Sequence, residues 1–213
     1  MLLIPLFTKL LTSDRQTKIV EVSNQLKINP DWLSAVIYFE TGRTFNPKAK
    51  NQIGSVGLIQ FTRDKAGVEY KTIGGVKYPL SEIYKMSFNE QMDLVYQYLK
   101  PFKGKMNSFL DVYLAVFFPN AMNQSDDYVF QTKGLSASLI AKQNPAFDTN
   151  KDGQIKRKEV TDFFRKLYKE NFPLIEKKKT LNIMKAFWTK YKYFIIGGLV
   201  VAVGGYFLLK KKK

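Results

Sequence analysis

The chain has 213 residues, of which 45% are hydrophobic, and it carries a formal net charge of +16. That length supports one domain of ordinary size together with additional segments. Cysteine and histidine are both absent, which excludes disulfides, thiol catalysis, serine–histidine catalysis and the usual zinc ligands. Any chemistry must therefore rely on carboxylates, hydroxyls, amides, lysine or a hard metal ion.

The positive charge is concentrated in the C-terminal part of the chain. Residues 156–213 hold 16 Lys and Arg against 4 Asp and Glu, whereas residues 1–155 hold 18 against 14. The body is thus only mildly basic, and the excess charge belongs to the C-terminal segments. Nucleic-acid binding is a competing explanation, but no base-reading module accompanies the charge, so we rank it low.

The predicted elements of the body are mostly helical. Residues 1–7 are apolar but lack the basic start and the cleavage site of a signal peptide, so they are predicted to lead into a first helix. Residues 68–78 predict one short hairpin that turns at Gly74-Gly75. The predicted fold class is a mainly α domain with this one β element. Hydrophobic periodicity and capping residues predict helices over 14–27, 31–41, 63–69, 80–86, 88–99, 108–118, 136–143 and 158–170.

Glu40 occupies a position where a charged side chain is unexpected. In the predicted helix 31–41 it shares the core-facing stripe with Leu33, Val36 and Ile37. Burial and the negative end of the helix dipole both raise the pKa of a carboxyl group placed there. A carboxylic acid that keeps its proton near neutral pH is what general-acid catalysis requires. The alternative is that Glu40 caps the helix or pairs with Arg43.

A second segment rich in small residues follows Glu40. Residues 54–62 read GSVGLIQFT, and the small side chains of Gly54, Ser55 and Gly57 allow a ligand to approach the backbone closely. Gln60 offers both a donor and an acceptor to sugar hydroxyl or acetamido groups. Taken alone, this segment is better explained as a turn that leads into a helix capped by Thr62.

The two segments together resemble a known family. Residues 38–42 (YFETG), 45–47 (FNP) and 54–60 (GSVGLIQ) resemble the motifs of the lytic transglycosylase domain in the soluble-lytic-transglycosylase and goose-type lysozyme superfamily. The resemblance covers about residues 20–145 and implies an α+β lysozyme-like fold that acts on peptidoglycan glycan strands, with Glu40 as the catalytic acid. Thr41 replaces the usual Ser, and Ile59 replaces the usual Met.

The third motif of that family is only weakly present. Residues 114–121 read LAVFFPNA where the family has an A-Y-N-A-G-like segment, and Phe117 or Phe118 stands in place of its tyrosine. The residues predicted to bind substrate, most of which are equally well explained as core or turn residues, are Ser55, Gly57, Gln60, Tyr70, Phe117, Phe118 and Asn120, with Tyr78 as a further groove candidate.

No second Asp or Glu lies between Glu40 and Asp64. A lone acid fits the transglycosylase route that the resemblance implies, in which the N-acetyl group of the substrate assists and a 1,6-anhydro product forms. Hydrolysis requires a second carboxylate about 5–10 Å from the acid. It stays open, because distant residues can approach in the fold; the candidates are Asp64, Glu69, Asp126 and Asp127.

Residues 148–159 (DTNKDGQIKRKE) match the pattern of an EF-hand calcium loop. Glycine occupies position six of this loop and isoleucine position eight. Lys156 and Lys158 lie inside the loop, so we expect a calcium ion that stabilises the structure rather than a calcium sensor. No cofactor is predicted for catalysis. The predicted calcium ligands are Asp148, Asn150, Asp152, the Gln154 carbonyl and Glu159.

The C-terminal region is predicted to anchor the chain in a membrane. Residues 193–209 are 17 consecutive residues without a charge, and the flanking aromatic residues and lysines suit the two interfaces of a bilayer. A buried soluble helix is the alternative, which four glycines and a terminal tetralysine disfavour. The predicted organisation is a lysozyme-like domain (1–145), a calcium loop with its exiting helix (146–175), a Lys-rich juxtamembrane segment (176–192), a transmembrane helix (193–209) and a basic tail (210–213).

These features together predict a membrane-anchored lytic transglycosylase with a structural calcium ion. The predicted partners are peptidoglycan, a lipid bilayer and virion membrane or capsid proteins, and the predicted location is a viral inner membrane or a bacterial envelope. One hypothesis is a lysin that opens the cell wall during entry of a membrane-containing bacteriophage; recovery from cells but never from purified particles would contradict it. The alternatives are a hydrolytic lysozyme and a non-catalytic, calcium-stabilised anchoring module.

Overall fold

The computed structural model describes residues 3–177, which all belong to one compact and mainly helical unit. Two strands, β1 (Tyr70–Ile73) and β2 (Val76–Pro79), form its two-stranded sheet. The helices are α1 (Pro5–Thr8), α2 (Ser13–Leu26), α3 (Pro30–Glu40), α4 (Leu80–Lys85), α5 (Phe88–Leu99), α6 (Phe109–Phe117), α7 (Ala137–Gln143), α8 (Arg157–Tyr168) and α9 (Phe172–Glu176), with 3-10 turns at Lys100–Phe102, Pro119–Ala121 and Lys169–Asn171.

Most predicted elements are confirmed, including the hairpin. The strands pair antiparallel with Ile73 opposite Val76, and Gly74 and Gly75 have φ values of 58° and 85°. Positive φ at both central residues is the requirement of the tight hairpin turn that matches strand twist. Seven of the eight predicted helices occur with small differences at their ends, α1 lies in the apolar N-terminal segment, and α9 was not predicted.

The prediction of a helix over 63–69 is wrong, because this segment forms turns that fold back onto β1. The backbone N–H of Asp64 donates to the carbonyl of Tyr70, and the Asp64 carboxylate accepts from the backbone N–H of Thr72 at 3.0 Å. Gly67 has a φ of 79°, which a right-handed helix does not allow. These hydrogen bonds between the 63–69 segment and β1 replace the hydrogen bonds of the helix that the local sequence favours.

Helix α3 lies at the centre of the core and presents Glu40 at its end. Residues 30–37 are all buried, and α3 packs against α2, α6 and α9. The helix begins as predicted, with the Asn29 side chain accepting from the backbone N–H of Asp31 and proline at the first position. A helix buried on several sides is held rigidly, so the position of its last residue is well defined.

Helix α8, which follows the predicted calcium loop, is part of the same core. Phe164 is fully buried, and its ring centroid lies 5.0 Å from that of Phe39, 5.0 Å from that of Phe109 and 4.6 Å from that of Tyr113. The Tyr168 hydroxyl donates to the carbonyl of Ala35 in α3 at 2.6 Å. Residues 146–175 therefore share one hydrophobic core with the body, rather than forming a separate unit.

The predicted transmembrane helix at 193–209 and the basic tail at 210–213 lie outside the described residues, as does most of the juxtamembrane segment 176–192. Within residues 3–177, no helix is both long enough and apolar enough to cross a bilayer.

Candidate active site

Glu40 is the last residue of α3, and the turn that follows is held by Thr41. The Thr41 hydroxyl donates to the carbonyl of Ile37 at 2.7 Å and accepts from the backbone N–H of Phe45 at 2.9 Å. Gly42 has a φ of 62°, which ends the helix in the usual left-handed way. The chain therefore leaves α3 abruptly, directly after Glu40.

The Glu40 carboxyl group has no partner among the described residues. The side chain is half-buried, and no described residue forms a hydrogen bond or an ion pair with it. Arg43, the predicted alternative partner, is exposed. Burial raises the pKa of Glu40 from 4.5 to about 8, because the charged form loses hydration without gaining a compensating interaction. Glu40 thus holds its proton at neutral pH.

Tyr113 in α6 lies close enough to Glu40 for a charge on Glu40 to affect the pKa of its hydroxyl group. Tyr113 is 2% exposed, and its pKa is raised well above 10.0 by burial and then by the charge of Glu40. Its ring stacks on that of Phe117 with centroids 5.6 Å apart. Sequence reasoning missed Tyr113, which immediately precedes the weak third motif and supplies a tyrosine near the acid one turn before Phe117.

Tyr98 in α5 is a second tyrosine near the acid that sequence reasoning missed. Burial raises its pKa, and the charges of Glu40 and then Asp64 raise it further. Its ring meets that of Phe61 edge-on at 6.0 Å, and the Lys71 ammonium lies 5.8 Å from its centroid. Tyr98 therefore connects α3, the 54–62 segment and the hairpin, a position that no spacing in the sequence indicates.

The 54–62 segment folds into a tight loop. The backbones of Val56 and Phe61 donate to one another at 3.1 and 2.8 Å, and Gly57 between them has a φ of 84°. Ser55 is 1% exposed, and its hydroxyl is hydrogen-bonded to that of Thr62 at 2.7 Å. Ser55 and Gly57 are thus buried residues that determine the conformation of this loop.

Gln60 keeps one polar atom available at the surface of the loop. Its side-chain nitrogen donates to the carbonyls of Gly57 at 3.0 Å and Ala49 at 3.3 Å. Its side-chain oxygen accepts no hydrogen bond from the described residues, and the residue is half-buried. An amide fixed in this way offers an oriented acceptor to a ligand hydroxyl or N–H group.

Gln91 in α5 holds the loop in place, and sequence reasoning missed it. This fully buried amide accepts from the backbone N–H of Leu58 at 2.9 Å and donates to the carbonyls of Pro47 and Ile83 at 2.7 and 2.8 Å. One side chain thus ties the segment after Glu40, the 54–62 loop and α4 together. An amide with all these bonds satisfied is rigid and costly to disturb.

Substituting Gly57 tests this arrangement. A Cβ atom at Gly57 would lie 2.4 Å from the Gln91 side-chain oxygen, and its φ of 84° is unfavourable for alanine. We expect Gly57→Ala to lower the free energy of unfolding by roughly 2–4 kcal/mol. Gly104→Ala is the matched control in denaturant unfolding, because Gly104 has the same φ and no atom near its Cβ. Equal losses in both variants would contradict the role of Gln91.

The remaining predicted substrate residues lie in two places. Phe117 packs at 5.2 Å on Phe147, and Phe118 stacks on Phe130 at 4.9 Å, so both contribute to packing. Tyr70 and Tyr78 are half-buried on the hairpin, and Asn120 is exposed. No ring contact among the described residues joins the hairpin tyrosines to Phe117 or Phe118.

Three of the four other candidate carboxylates are bound to cations or backbone. Glu69 pairs with Arg63 at 2.6 Å, Asp126 with Arg157 at 3.3 Å and Asp64 with Lys71 at 3.2 Å. The hydrogen bond from Thr72 lowers the pKa of Asp64, and Lys71 lowers it further. None of these carboxylates, nor Asp127, is hydrogen-bonded to Glu40.

The predicted calcium loop has a folded backbone around its acidic residues. The two oxygens of Asp148 accept from the backbone N–H groups of Asp152 and Gly153, each at 3.1 Å. Gly153 has a φ of 79°, as the sharp turn at position six requires. One Glu159 oxygen accepts from the backbone N–H groups of Thr149 and Asn150 at 3.0 and 3.3 Å.

The donors of this loop suit calcium by type, since they are carboxylate, amide and carbonyl oxygens. Glu159 closes on the start of the loop, which brings positions one and twelve towards each other. Within residues 3–177, however, no three acidic side chains converge closely enough to form a ready metal site. The loop fits a calcium ion in the type and sequence position of its donors, and its carboxylates would have to move together to bind the ion.

Backbone and ionic contacts join the loop to the body. The N–H of Phe130 donates to the carbonyl of Ile155 at 2.8 Å. The Arg157 guanidinium bonds to Asp111 at 3.2 Å and to Asp126 at 3.3 Å. Asp111 is 2% exposed and lies in the first turn of α6, the helix that carries Tyr113. The end of the loop is thus fixed to the helix beside Glu40.

Comparisons of the chain with protein-family models, with curated proteins and with solved structures gave no match. The residues and geometry of the chain itself are therefore the basis for any proposed function.

Proposed function

We propose that this chain is a peptidoglycan lytic transglycosylase that breaks the β-1,4 bond between MurNAc and GlcNAc. The proposal depends on one observation about the Glu40 carboxyl group. Burial raises its pKa to about 8, so it is protonated at neutral pH, and it has no partner among the described residues. A structural carboxylate is normally paired or hydrogen-bonded, whereas an unpaired acid near neutral pH is suited to donate a proton.

The proposed reaction uses Glu40 twice. As an acid, Glu40 protonates the glycosidic oxygen, and the acetamido group of the substrate assists as the bond breaks. The Glu40 carboxylate then removes the proton from the MurNAc 6-hydroxyl, which attacks the anomeric carbon and closes the 1,6-anhydro ring. The raised pKa supports both steps, because a carboxylate in this setting readily takes a proton back. The reaction requires no second carboxylate and consumes no water.

Polar side chains of the 54–62 loop, α5 and α6 support a sugar site. The Gln60 oxygen is free to accept from a sugar hydroxyl or acetamido N–H. Tyr98 and Tyr113 lie within electrostatic reach of Glu40, and aromatic side chains with a hydroxyl group suit the mixed apolar and polar faces of a sugar ring. We propose that Gln60 and Tyr98, together with the segment 54–60, form the substrate side of the site, whereas Tyr113, at 2% exposed, supports the acid from the core.

We also propose that residues 148–159 hold a structural calcium ion, bound by Asp148, Asn150, Asp152, the Gln154 carbonyl and Glu159. The ion would neutralise the carboxylates of Asp148, Asp152 and Glu159, of which Asp152 otherwise pairs with Lys156 at 3.4 Å. Because α8 begins within this loop and packs on Phe39 beside Glu40, calcium would stabilise the wall of the active site without entering the reaction.

The location and partners of the protein are proposals from the C-terminal sequence. We propose that residues 193–209 anchor the domain in a bilayer and that its partners include virion membrane or capsid proteins. Local opening of a cell wall during phage entry, or remodelling of a bacterial envelope, would follow from such an anchored enzyme. Detection of the protein in purified, membrane-containing particles tests the first possibility.

Mass spectrometry of the products tests the proposed reaction. Digestion of purified peptidoglycan by the wild-type chain is expected to release muropeptides lighter by one water than hydrolysis products, and Glu40→Gln is expected to release none. Ordinary reducing ends that depend on Glu40 would instead show a hydrolytic lysozyme. Absence of any Glu40-dependent product from folded, calcium-supplied protein would favour the non-catalytic anchoring module.

A further inference from the structure

A cavity of about 450 Å³ lies beside the 54–62 loop, and Glu40 does not line it. It is formed where residues 50–56, residues 63–69 and α4 meet. The cavity is large enough for several residues of a short peptide, whereas the other cavity near α3, lined by Tyr38 and Arg43, measures about 120 Å³. The larger cavity has no role in the proposed cleavage step.

The cavity carries a net positive charge. Arg63 and Glu69 both line it and neutralise each other through an ion pair of 2.6 Å. Lys50 and Lys85 also line it, are exposed, and form no ion pair with any described residue. Two ammonium groups that face one cavity without a carboxylate partner favour an anionic ligand.

The rest of the lining is partly apolar. Val56 and Leu80, which are 3% and 5% exposed, form apolar parts of the wall, and Tyr84 and Ser81 add an aromatic ring and a hydroxyl group. A simple inorganic anion would gain nothing from contact with an apolar wall, and an uncharged sugar would form no ion pair with the two ammonium groups. A peptide with carboxylates and small apolar side chains matches both features.

We propose that this cavity binds the stem peptide of peptidoglycan, an inference that rests on the proposed function. The stem peptide is attached to MurNAc and carries free carboxylates between alanine methyl groups. Gly54 and Val56 belong to the same segment as Gln60, so the cavity adjoins the proposed sugar site. Four extended residues span roughly 13 Å, which gives the peptide reach beyond the sugar that carries it.

Binding of an isolated stem peptide tests the cavity independently of catalysis. The probe is the acidic tetrapeptide N-acetyl-L-Ala-D-γ-Glu-meso-diaminopimelate-D-Ala, whose amino end is capped as it is on MurNAc, titrated calorimetrically into the full-length chain. We expect the double variant Lys50→Gln/Lys85→Gln to weaken binding by about tenfold. The matched control is Lys103→Gln/Lys105→Gln, which removes the same charge from exposed lysines outside the cavity. Equal weakening in both double variants, or equal binding of a tetrapeptide with amidated carboxylates, would overturn the inference.

Cleavage of two substrates separates this inference from the proposed function. Peptidoglycan strands with stem peptides are compared with strands from which an amidase has removed them. We expect wild type to cleave the first about tenfold faster, and Lys50→Gln/Lys85→Gln to lose that preference while retaining its rate on bare strands. Glu40-dependent cleavage without any such preference would overturn the peptide site alone. Tetrapeptide binding that depends on Lys50 and Lys85, without Glu40-dependent cleavage, would overturn the proposed function alone.

Discussion

Glu40→Gln is expected to lower the rate of glycan-strand cleavage by about 10³-fold, because removal of a general acid typically costs 10²–10⁴-fold. Glutamine keeps the size and polarity of the side chain but has no proton to donate at this position. The variant should fold normally, since no described residue forms a hydrogen bond or an ion pair with the Glu40 carboxyl group. Initial rates on purified peptidoglycan, measured for both proteins at pH 6–7, check the expectation.

The pH dependence should follow the same carboxyl group. Burial raises the pKa of Glu40 from 4.5 to about 8, so kcat/KM should fall above about pH 8 by tenfold for each pH unit as the acid loses its proton. The folded chain binds more protons than the unfolded chain between these two values. Stability should therefore fall as pH rises through this window, by at most about 1.4 kcal/mol per pH unit.

Glu40→Gln removes this titration and should flatten that part of the stability profile. Glu82→Gln is the control, because Glu82 is exposed in α4 and should behave as wild type in both rate and stability. Wild-type activity that persists in Glu40→Gln, or a stability difference between Glu40→Gln and wild type that is the same at pH 5 and pH 8, would show that Glu40 is not the acid.

Local sequence patterns predicted the position of this acid but not its surroundings. Leu33, Val36 and Ile37 are buried as their stripe predicts, although all residues from 30 to 37 are buried and not that stripe alone. Glu40 follows on the same stripe at the end of the helix. The hairpin could be predicted from Gly74 and Gly75, because two adjacent glycines favour the tight hairpin turn that needs positive φ at both central residues. In each case neighbours in the sequence contain the information.

The missed residues depend on contacts between distant parts of the chain. Gln91 bonds to Leu58, 33 positions away, and nothing around Gln91 distinguishes it from any polar residue of an amphipathic helix. Tyr98 and Tyr113 read as core aromatics for the same reason. The predicted helix at 63–69 failed because Asp64 bonds to Thr72 across the loop, and such a tertiary contact overrides a weak local propensity.

Calcium is expected to raise the melting temperature of the domain by about 5–11 °C. At a free concentration 100 times its dissociation constant, a ligand of the folded state contributes about 2.7 kcal/mol, and each kcal/mol shifts Tm by about 2–4 °C at this size. The effect should spread beyond the loop, because Arg157 ties the loop to Asp111 and Phe164 packs on Phe39 and Tyr113. Thermal unfolding with excess EDTA and with millimolar calcium measures it.

Glu159→Gln should remove most of that calcium-dependent rise, since position twelve normally supplies two of the ligand oxygens. The variant keeps one oxygen to accept from Thr149 and Asn150 but loses the second, which accepts from the backbone N–H of Lys156 at 2.9 Å, so its Tm in EDTA should lie slightly below that of wild type in EDTA. Glu176→Gln, an exposed substitution in α9, should respond to calcium fully. A wild-type Tm that does not change with calcium would show that the loop is stable through its backbone bonds alone. In that case the packing of Phe164 on Phe39, rather than an ion, would hold the wall beside Glu40.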